Sequence, residues 1–468
     1  MQKKTEQIHN ASMQILERVG IKIHHREILD LLIKNNIKVT GETVFFSRDQ
    51  VMARVAEAPQ KFTLHARNSE YDMNIGGDNT EYGAGYGCPA IIGPDGKRRN
   101  ARFDDYLNFL KLVHQCEHFK LNGGILVQPE ELRPDHVHAV MTYAALRYSD
   151  KALLGMSGRA KDVQKIMDLA GIVFGGMEQL IKKPRVLTLV NTLSPLQIDA
   201  AALDTIKVCT CYRQPVIISP GPMAGATGPV TLAGNIALGN AEALAGIAIC
   251  QMLQPGTPVV YGLQAASSDL KTAGITIGTP DFVLEASWCA RMAKYYQLPC
   301  RGGGCSSDAQ ILSVQSGYES MLQMFAACQE KINLILHAAG ILDGYGAMSY
   351  EKFFVDLEII GMIRHYLKGV RVDEDSLALD TIAQVGPGGE YLTCRHTLEN
   401  CRKIPWQPEI SARNLQHGSD FNAQILMNIQ TKKKKMLSGY HHPDLDFDIK
   451  TRLDKYLADL GIGLGFMK

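Results

Sequence analysis

Short apolar runs rich in β-branched residues recur along most of this chain, and stretches with helical periodicity separate them. Continuous hydrophobic strands joined by helices indicate a parallel sheet that is covered on both faces. Seven clear strand–helix units and one obscure unit fit an α/β fold of the closed (β/α)8 TIM-barrel type better than an open sheet. No Gly-x-Gly-x-x-Gly motif follows the first strand to favour a Rossmann fold. We predict strands at residues 121–127, 152–156, 185–190, 215–219, 258–261, 298–302 and 332–337.

The first hundred residues follow a different pattern. Helical periodicity runs through residues 8–16 and 28–32, and Ser47 is a plausible N-cap for a helix over residues 51–56. Gly93-Pro94-Asp95-Gly96 indicates a turn between two strands. We therefore predict an N-terminal extension of helices and a small sheet over residues 1–100. Residues 101–468 would form the barrel with a C-terminal helical extension.

The C-terminal strand ends are where a barrel of this type carries its chemistry. Residues 221–228 follow one such end and are rich in small side chains. They allow a ligand or a planar cofactor to approach the backbone, or they form only a tight strand-to-helix connection. Arg301 with Gly302 and Gly303 follows another end, where a guanidinium and free amides suit a carboxylate or a phosphate. The alternative is an arginine paired with a structural aspartate.

One histidine and several aromatic residues complete the candidate chemistry. His337 ends a predicted strand, where a histidine is either functional or a hydrogen-bonded core residue. Tyr82 and Tyr86 stand among glycines. Further aromatic residues occur later in the chain, at Tyr345, Tyr350, Phe353 and Phe354. Aromatic faces attract poorly hydrated cations, although most aromatic residues serve packing.

Composition excludes several other classes. The 468 residues carry 49 Lys and Arg against 48 Asp and Glu, which argues against a nucleic-acid binder. The eleven cysteines form no CxxC pair or regular framework, and no signal peptide accompanies them, so we expect reduced thiols and a cytoplasmic location. No uncharged apolar stretch approaches the roughly 20 residues of a membrane span. We predict no metal site, since no strong zinc signature is present, and the cluster of His441, His442, Asp444 and Asp446 is typical of a surface loop.

Several motifs in one order resemble the trimethylamine methyltransferase family, in particular its members without pyrrolysine. The longest resemblance covers residues 225–234, with Asn240-Ala241-Glu242 after it. The other segments that carry the resemblance are residues 255–262, 315–319, 337–340, 351–353 and 386–389, and His396-Thr397. Pyrrolysine of trimethylamine enzymes would lie near the segment matching residues 301–310, where this chain has ordinary residues. The resemblance therefore favours a substrate other than trimethylamine.

The resemblance implies methyl transfer from a quaternary amine such as glycine betaine, proline betaine or carnitine to cob(I)alamin on a partner corrinoid protein. A quaternary ammonium already carries a good leaving group, so positioning and charge handling are the enzyme's tasks. On this hypothesis Tyr82, Tyr86 and Phe354 hold the ammonium, and Arg301, Gly302 and Gly303 bind the carboxylate. His337 would orient the substrate or hydrogen-bond the product amine. Gly225, Thr227 and Gly228 would lie under the corrinoid.

Two other function classes fit the same residues. A barrel lyase or hydrolase of a small carboxylate would turn over without a corrinoid. A non-catalytic module that binds a quaternary amine or a corrinoid protein would show binding without methyl transfer. In each case we expect a homo-oligomer.

Overall fold

The predicted apolar runs form strands, and the amphipathic segments between them form helices. The structure, a computed structural model, describes residues 2–269, 271–272, 274–413, 420–463 and 465. The strands in chain order are β1 (Ile21–Ile23), β2 (Lys38–Thr40), β3 (Thr43–Phe45), β4 (Lys61–Leu64), β5 (Met73–Gly76), β6 (Glu81–Tyr82), β7 (Ala90–Ile92), β8 (Arg98–Asn100), β9 (Leu121–Gly123), β10 (Ala152–Leu154), β11 (Val186–Asn191), β12 (Gln197–Ile198), β13 (Val216–Ser219), β14 (Met223–Ala224), β15 (Val259–Tyr261), β16 (Ala266–Asp269), β17 (Gly274–Thr276), β18 (Arg301–Gly303), β19 (Leu334–Leu336), β20 (Ile341–Leu342) and β21 (Ala347–Met348).

Helices follow most of these strands and cover the sheets from outside. In chain order they are α1 (Gln2–Gln14), α2 (Arg26–Lys34), α3 (Arg48–Val55), α4 (Phe103–Gln115), α5 (Val137–Tyr148), α6 (Ala160–Phe174), α7 (Met177–Lys182), α8 (Ala200–Cys211), α9 (Leu232–Leu253), α10 (Pro280–Tyr295), α11 (Val314–Gln329), α12 (Tyr350–Leu367), α13 (Glu374–Leu377), α14 (Leu379–Val385), α15 (Arg395–Asn400), α16 (Phe421–Ser438) and α17 (Phe447–Asp459).

Two parallel sheets form the centre of this α/β fold. One has five strands in the order β15-β13-β11-β10-β9, and the other has three in the order β18-β19-β6. Single parallel bridges, Tyr82 with Phe119 and Tyr261 with Cys300, join residues at the edges of the two sheets. The seven predicted strands are confirmed as β9, β10, β11, β13, β15, β18 and β19. The eighth, β6, lies within residues 1–100 and was not recognised because it has only two residues.

The inward side chains of these strands form an apolar cluster of their own. Leu121, Leu154, Leu187, Ile217 and Leu336 are buried in it together with residues of the β4–β5 hairpin. A second and larger cluster lies between the sheets and the helices. Burial of each leucine or isoleucine side chain contributes about 1.5–3 kcal/mol to the stability of the folded state. The two clusters together therefore hold the strands in fixed positions.

The N-terminal segments pack onto the central fold rather than apart from it. Strand β1 pairs in parallel with β12, and Ser12 of α1 donates a hydrogen bond to the Ala237 carbonyl at 2.8 Å. The predicted cap of α3 is confirmed, since the Ser47 hydroxyl accepts a hydrogen bond from the Gln50 amide. The predicted turn at residues 93–96 is also confirmed, since it joins the antiparallel strands β7 and β8.

Helix α9 bears on the expectation that no uncharged apolar stretch approaches the length of a membrane span. Its 22 residues have the length and composition of a membrane span, although 94% of its most apolar window is buried inside the protein. Helix α1 lies against it, and Asn240 within it hydrogen-bonds to Ser12 and to Tyr296. These contacts are those of a core helix.

Candidate active site

Arg301 is the first residue of β18 and is 2% exposed. We expected it at the end of a strand, and the structure corrects this position. Its side chain nevertheless reaches Ser219, the last residue of β13. One guanidinium nitrogen donates to the Ser219 hydroxyl at 3.2 Å, and its Nε atom is buried without a hydrogen-bond partner. Among the residues that the structure describes, no Asp or Glu forms an ion pair with it, so the predicted alternative of a structural aspartate finds no support there. Burial lowers the pKa of Arg301.

His337 follows β19 directly and lies at the same end of the sheets. Its backbone has a positive φ of 57°, and its amide donates to the Ala84 carbonyl at 3.2 Å. Its Nδ1 atom is buried without a hydrogen-bond partner. Burial, followed by the charge of Arg301, lowers the pKa of His337 well below its ordinary value. The imidazole is therefore neutral at pH 7 and available for a hydrogen bond.

Two tyrosine rings flank this histidine. The Tyr345 ring centroid lies 4.8 Å from that of His337, and the Tyr86 centroid lies 6.5 Å from it. Burial raises the pKa of Tyr86, and it raises the pKa of Tyr345 to about 12, while the charge of Arg301 opposes both shifts. Both phenols are thus neutral rings beside a buried guanidinium. The Tyr345 hydroxyl accepts a hydrogen bond from the Gln264 amide, whose own oxygen is buried without a partner.

The other two rings of the predicted cation site lie elsewhere, which corrects that part of the hypothesis. The Tyr82 hydroxyl contacts Cys328 Sγ at 3.5 Å, on the helix-facing side of β6. Phe354 is buried in α12, edge-to-face with Phe353 at 5.6 Å, and Lys432 lies over its ring. Strand alternation explains the first case, because residues 82 and 83 point to opposite faces of the sheet.

The two predicted glycines beside Arg301 occupy different surroundings. A Cβ atom on Gly302 would lie 2.6 Å from the Ile332 side chain, so this glycine makes room for packing outside the strands. A Cβ atom on Gly303 would lie 3.3 Å from Gln264 Nε2 and from Phe282. Only Gly303 therefore adjoins the polar group that includes Gln264 and Tyr345.

The loop with Gly225, Thr227 and Gly228 lies between β14 and α9. The Thr227 hydroxyl accepts a hydrogen bond from the Met223 amide at 2.9 Å, and Gly225 donates to the Gly228 carbonyl. Gly225 is exposed, Thr227 and Gly228 are half-buried, and a Cβ atom on Gly228 would meet Asn235 Oδ1 at 2.0 Å. Because its residues are small, the backbone of this loop is accessible at Gly225.

A buried ion pair, which the sequence did not predict, joins the segments that follow β18 and β19. Lys352 Nζ contacts Asp356, the Cys305 carbonyl at 3.0 Å and the Ser320 hydroxyl. Asp356 in turn accepts a hydrogen bond from the Gly340 amide at 2.8 Å. Burial raises the pKa of Asp356 to about 6 against the charge of Lys352. The only sequence signal was the i,i+4 spacing of opposite charges in an apolar helix.

His442, from the cluster considered above as a metal site, has an aromatic partner. Its ring lies 4.5 Å from that of Tyr148. In the part of the chain that the structure describes, no three His, Cys, Asp or Glu side chains converge as a metal site.

The chain matches one known protein family over nearly its whole length. The profile of the family described as "Trimethylamine methyltransferase (MTTB)" matches residues 1–460. This chain belongs to that family.

Two curated relatives of this family member bear names that specify a substrate. The glycine betaine methyltransferase of Desulfitobacterium hafniense (strain Y51) is 39% identical over 99% of this chain and 97% of the relative. The proline betaine:corrinoid methyltransferase of Eubacterium limosum is 28% identical over 97% of this chain and 96% of the relative.

A solved structure supports the fold of this family member. The monomethylamine methyltransferase of Methanosarcina barkeri superposes with a TM-score of 0.53 over 93% of this chain and 87% of that one. At 12% identity the likeness concerns the fold alone.

Proposed function

We propose that this protein transfers a methyl group from the ammonium nitrogen of a betaine to a corrinoid carried by a partner protein. The observation that carries the proposal is Arg301, a buried guanidinium with a free Nε atom and no carboxylate partner among the described residues. A buried charge without a counter-ion is costly, so this site is preorganised for an anion that arrives with the substrate. Trimethylamine has no carboxylate, whereas every betaine has one.

The surroundings of Arg301 suit the other end of a betaine. Tyr86 and Tyr345 both place neutral rings beside His337. Such rings attract a quaternary ammonium, which cannot donate hydrogen bonds. The carboxylate at Arg301 and the ammonium against these rings would together fix one N-methyl group toward the strand-end face.

The chemistry needs little from the protein beyond this placement. A reduced corrinoid supplies the electron pair that forms the new bond to the methyl carbon. The N–CH3 bond breaks with both electrons on nitrogen, and a neutral tertiary amine leaves, so no protein acid has to deliver a proton. In this proposal Arg301 anchors the substrate, the tyrosine rings and the apolar strand residues exclude water, and neutral His337 hydrogen-bonds the substrate or the product amine.

The loop of Gly225, Thr227 and Gly228 is our candidate for the surface under the corrinoid. Gly225 is exposed, Thr227 and Gly228 are half-buried, and the loop follows β13 at the same strand ends as His337. A flat macrocycle needs such a surface, because side chains would hold it away from the substrate.

We further propose that the two central sheets close into an eight-stranded barrel. The bridges of Tyr82 with Phe119 and of Tyr261 with Cys300 support this closure, since they join both edges of the two sheets. The division into residues 1–100 and residues 101–468 stays part of the proposal, with β6 as a barrel strand supplied by the first part. A cytoplasmic location is supported by the eleven cysteines, all of which are free thiols.

The test is an anaerobic absorbance assay with the purified protein, free cob(I)alamin and a panel of betaines plus trimethylamine. We expect the methylcob(III)alamin spectrum to grow with one betaine and not with trimethylamine. Growth with trimethylamine alone would overturn the role of Arg301. Turnover of a carboxylate without any corrinoid would favour a lyase or hydrolase, and betaine binding without transfer would favour a binding module.

A further inference from the structure

Residues 366–404 form an arm that leaves the body of the protein and returns to it. The arm starts at the end of α12 and contains α13, α14 and α15. Trp406 returns beside Gly361 of α12, and the Glu409 amide donates to Glu358 of the same helix at 3.0 Å. Both ends of the arm are therefore rooted on one helix.

The arm is structured but buries none of its own residues. Its helix α13 begins with a capping box at Asp373, and the Thr397 hydroxyl donates to the Tyr391 carbonyl at 2.7 Å. Nevertheless, no residue from 364 to 409 is buried. This segment also contains Gly386-Pro387-Gly388-Gly389 and His396-Thr397, which the proposed chemistry does not use.

The exposed side chains of the arm are strongly apolar. Eleven of the 27 large hydrophobic side chains that are exposed among the described residues lie in these 39 positions. They are Tyr366, Leu367, Val370, Val372, Leu377, Leu379, Ile382, Tyr391, Leu392, Leu398 and Ile404. Val370 is 88% exposed, Leu392 81% and Leu398 78%. A concentration of exposed apolar side chains in one segment is typical of an interaction site.

We infer that this arm is the interface through which two copies of the chain associate permanently. A standard stable interface buries about 20–30 residues of each partner, and the 39 residues of the arm, none of them buried, are enough to form such a surface. Permanent interfaces are more apolar than transient ones, because their surfaces are never exposed to water separately. The arm also carries charges of both signs, such as Arg371 and Glu390, so two identical arms do not repel each other.

The position of the arm argues for a second copy rather than the corrinoid protein. Helix α12 starts at the strand-end face, after β21, and its 18 residues carry the chain about 27 Å to the opposite face. There Arg364 contacts His118, which precedes β9, at 2.7 Å. The methyl acceptor has to reach the strand-end face of His337, and its carrier has to leave after each turnover. A wide apolar interface rooted on the other face suits neither requirement.

Sedimentation velocity on the full chain tests the inference without reference to activity. We expect the wild type to sediment as a dimer or larger assembly of the 51.5 kDa chain, and the double variant Leu392→Glu/Leu398→Glu to sediment as a monomer. Val314→Glu is the matched control, since Val314 is 86% exposed on α11 and should leave the assembly unchanged. A monomeric wild type, or an assembly unaffected by the double variant, would overturn the inference.

Hydrogen exchange of the unmodified chain keeps the test valid if the double variant fails to fold. Because a permanent interface stays assembled on dilution, we expect the amides of residues 370–404 to exchange slowly at every protein concentration, although none of these residues is buried within a single chain. Rapid exchange of these amides, or protection that arises only when a corrinoid protein is added, would contradict association through this arm.

Discussion

The side-chain amide of Gln264 donates a hydrogen bond to the phenol of Tyr345. This contact joins the segment after β15 to the β20–β21 hairpin and holds the Tyr345 ring against His337. The same ring lies within the electrostatic influence of Arg301. Tyr345 thus connects two separate segments of the chain at the candidate site.

Removing the Tyr345 ring should weaken the affinity for a quaternary ammonium. We expect Tyr345→Leu to raise the KM for the active betaine about tenfold, which is within the ~2 kcal/mol of a desolvated cation–π contact. Tyr345→Phe keeps the ring and loses only the hydrogen bond from Gln264, so its KM should rise less than about threefold. Steady-state kinetics measure both, and Tyr318→Leu on the surface of α11 is the control. Equal KM values for Phe and Leu at residue 345 would exclude a cation contact.

Replacing Arg301 should affect binding and stability in opposite directions. Arg301→Met removes the anchor for the carboxylate, and we expect the betaine Kd to rise at least about 100-fold. The same change removes an uncompensated buried charge, so the free energy of unfolding without substrate should rise by about 1–3 kcal/mol. Isothermal titration and urea unfolding measure the two effects.

Arg26→Met is the control, because Arg26 forms an exposed i,i+4 pair with Asp30 that should be worth less than about 1 kcal/mol. If Arg301→Met is less stable than the wild type and still binds the betaine, then Arg301 is a structural residue.

Because His337 is neutral, kcat should not depend on pH near neutrality. Its pKa is lowered well below 6.5, so it gains a proton only in more acidic solution, and kcat should be flat from pH 6 to 8. His337→Asn is the suitable variant, since asparagine tolerates the left-handed backbone at this position. We expect kcat to fall about tenfold with little change in Kd, because orientation rather than affinity is lost. A break in the wild-type kcat profile near pH 6.5 that the variant removes would show that the imidazolium takes part.

Glu285 should make the folded protein less stable as the pH rises. It is 1% exposed, it accepts one hydrogen bond from Asn235 at 2.8 Å, and its Oε2 atom has no partner. Burial raises its pKa from 4.5 to about 7, so the folded state favours the protonated form. The stabilisation is complete below about pH 4.5 and is lost as the pH rises through about 7, at a cost of up to about 3 kcal/mol.

Urea unfolding between pH 5 and pH 8 measures this effect. Glu285→Gln should remove the loss of stability, whereas Glu178→Gln on the surface of α7 should retain it. The same pH dependence of the free energy of unfolding in the wild type and in Glu285→Gln would refute the prediction for Glu285.

Local patterns were sufficient for seven of the central strands. Apolar runs in the sequence predicted β9, β10, β11, β13, β15, β18 and β19. The cap at Ser47 and the turn at residues 93–96 follow from residue types alone. These features depend on neighbours in sequence, which the chain specifies directly. Strand β6 escaped prediction because two residues carry no period, and only its pairing with β19 makes it a strand.

The candidate site divides in the same way. The predicted strands placed His337 correctly at a C-terminal strand end, because parallel strands deliver their ends to one face. They misplaced Arg301, which begins β18. Which aromatic residues join them depends on side-chain direction and on the path of the loops. Strand alternation turned Tyr82 toward Cys328, and the turn between β20 and β21 brought Tyr345 to His337. These contacts, like the lack of a carboxylate partner at Arg301 among the described residues, arise between residues far apart in sequence. Only the packing of the folded chain decides them.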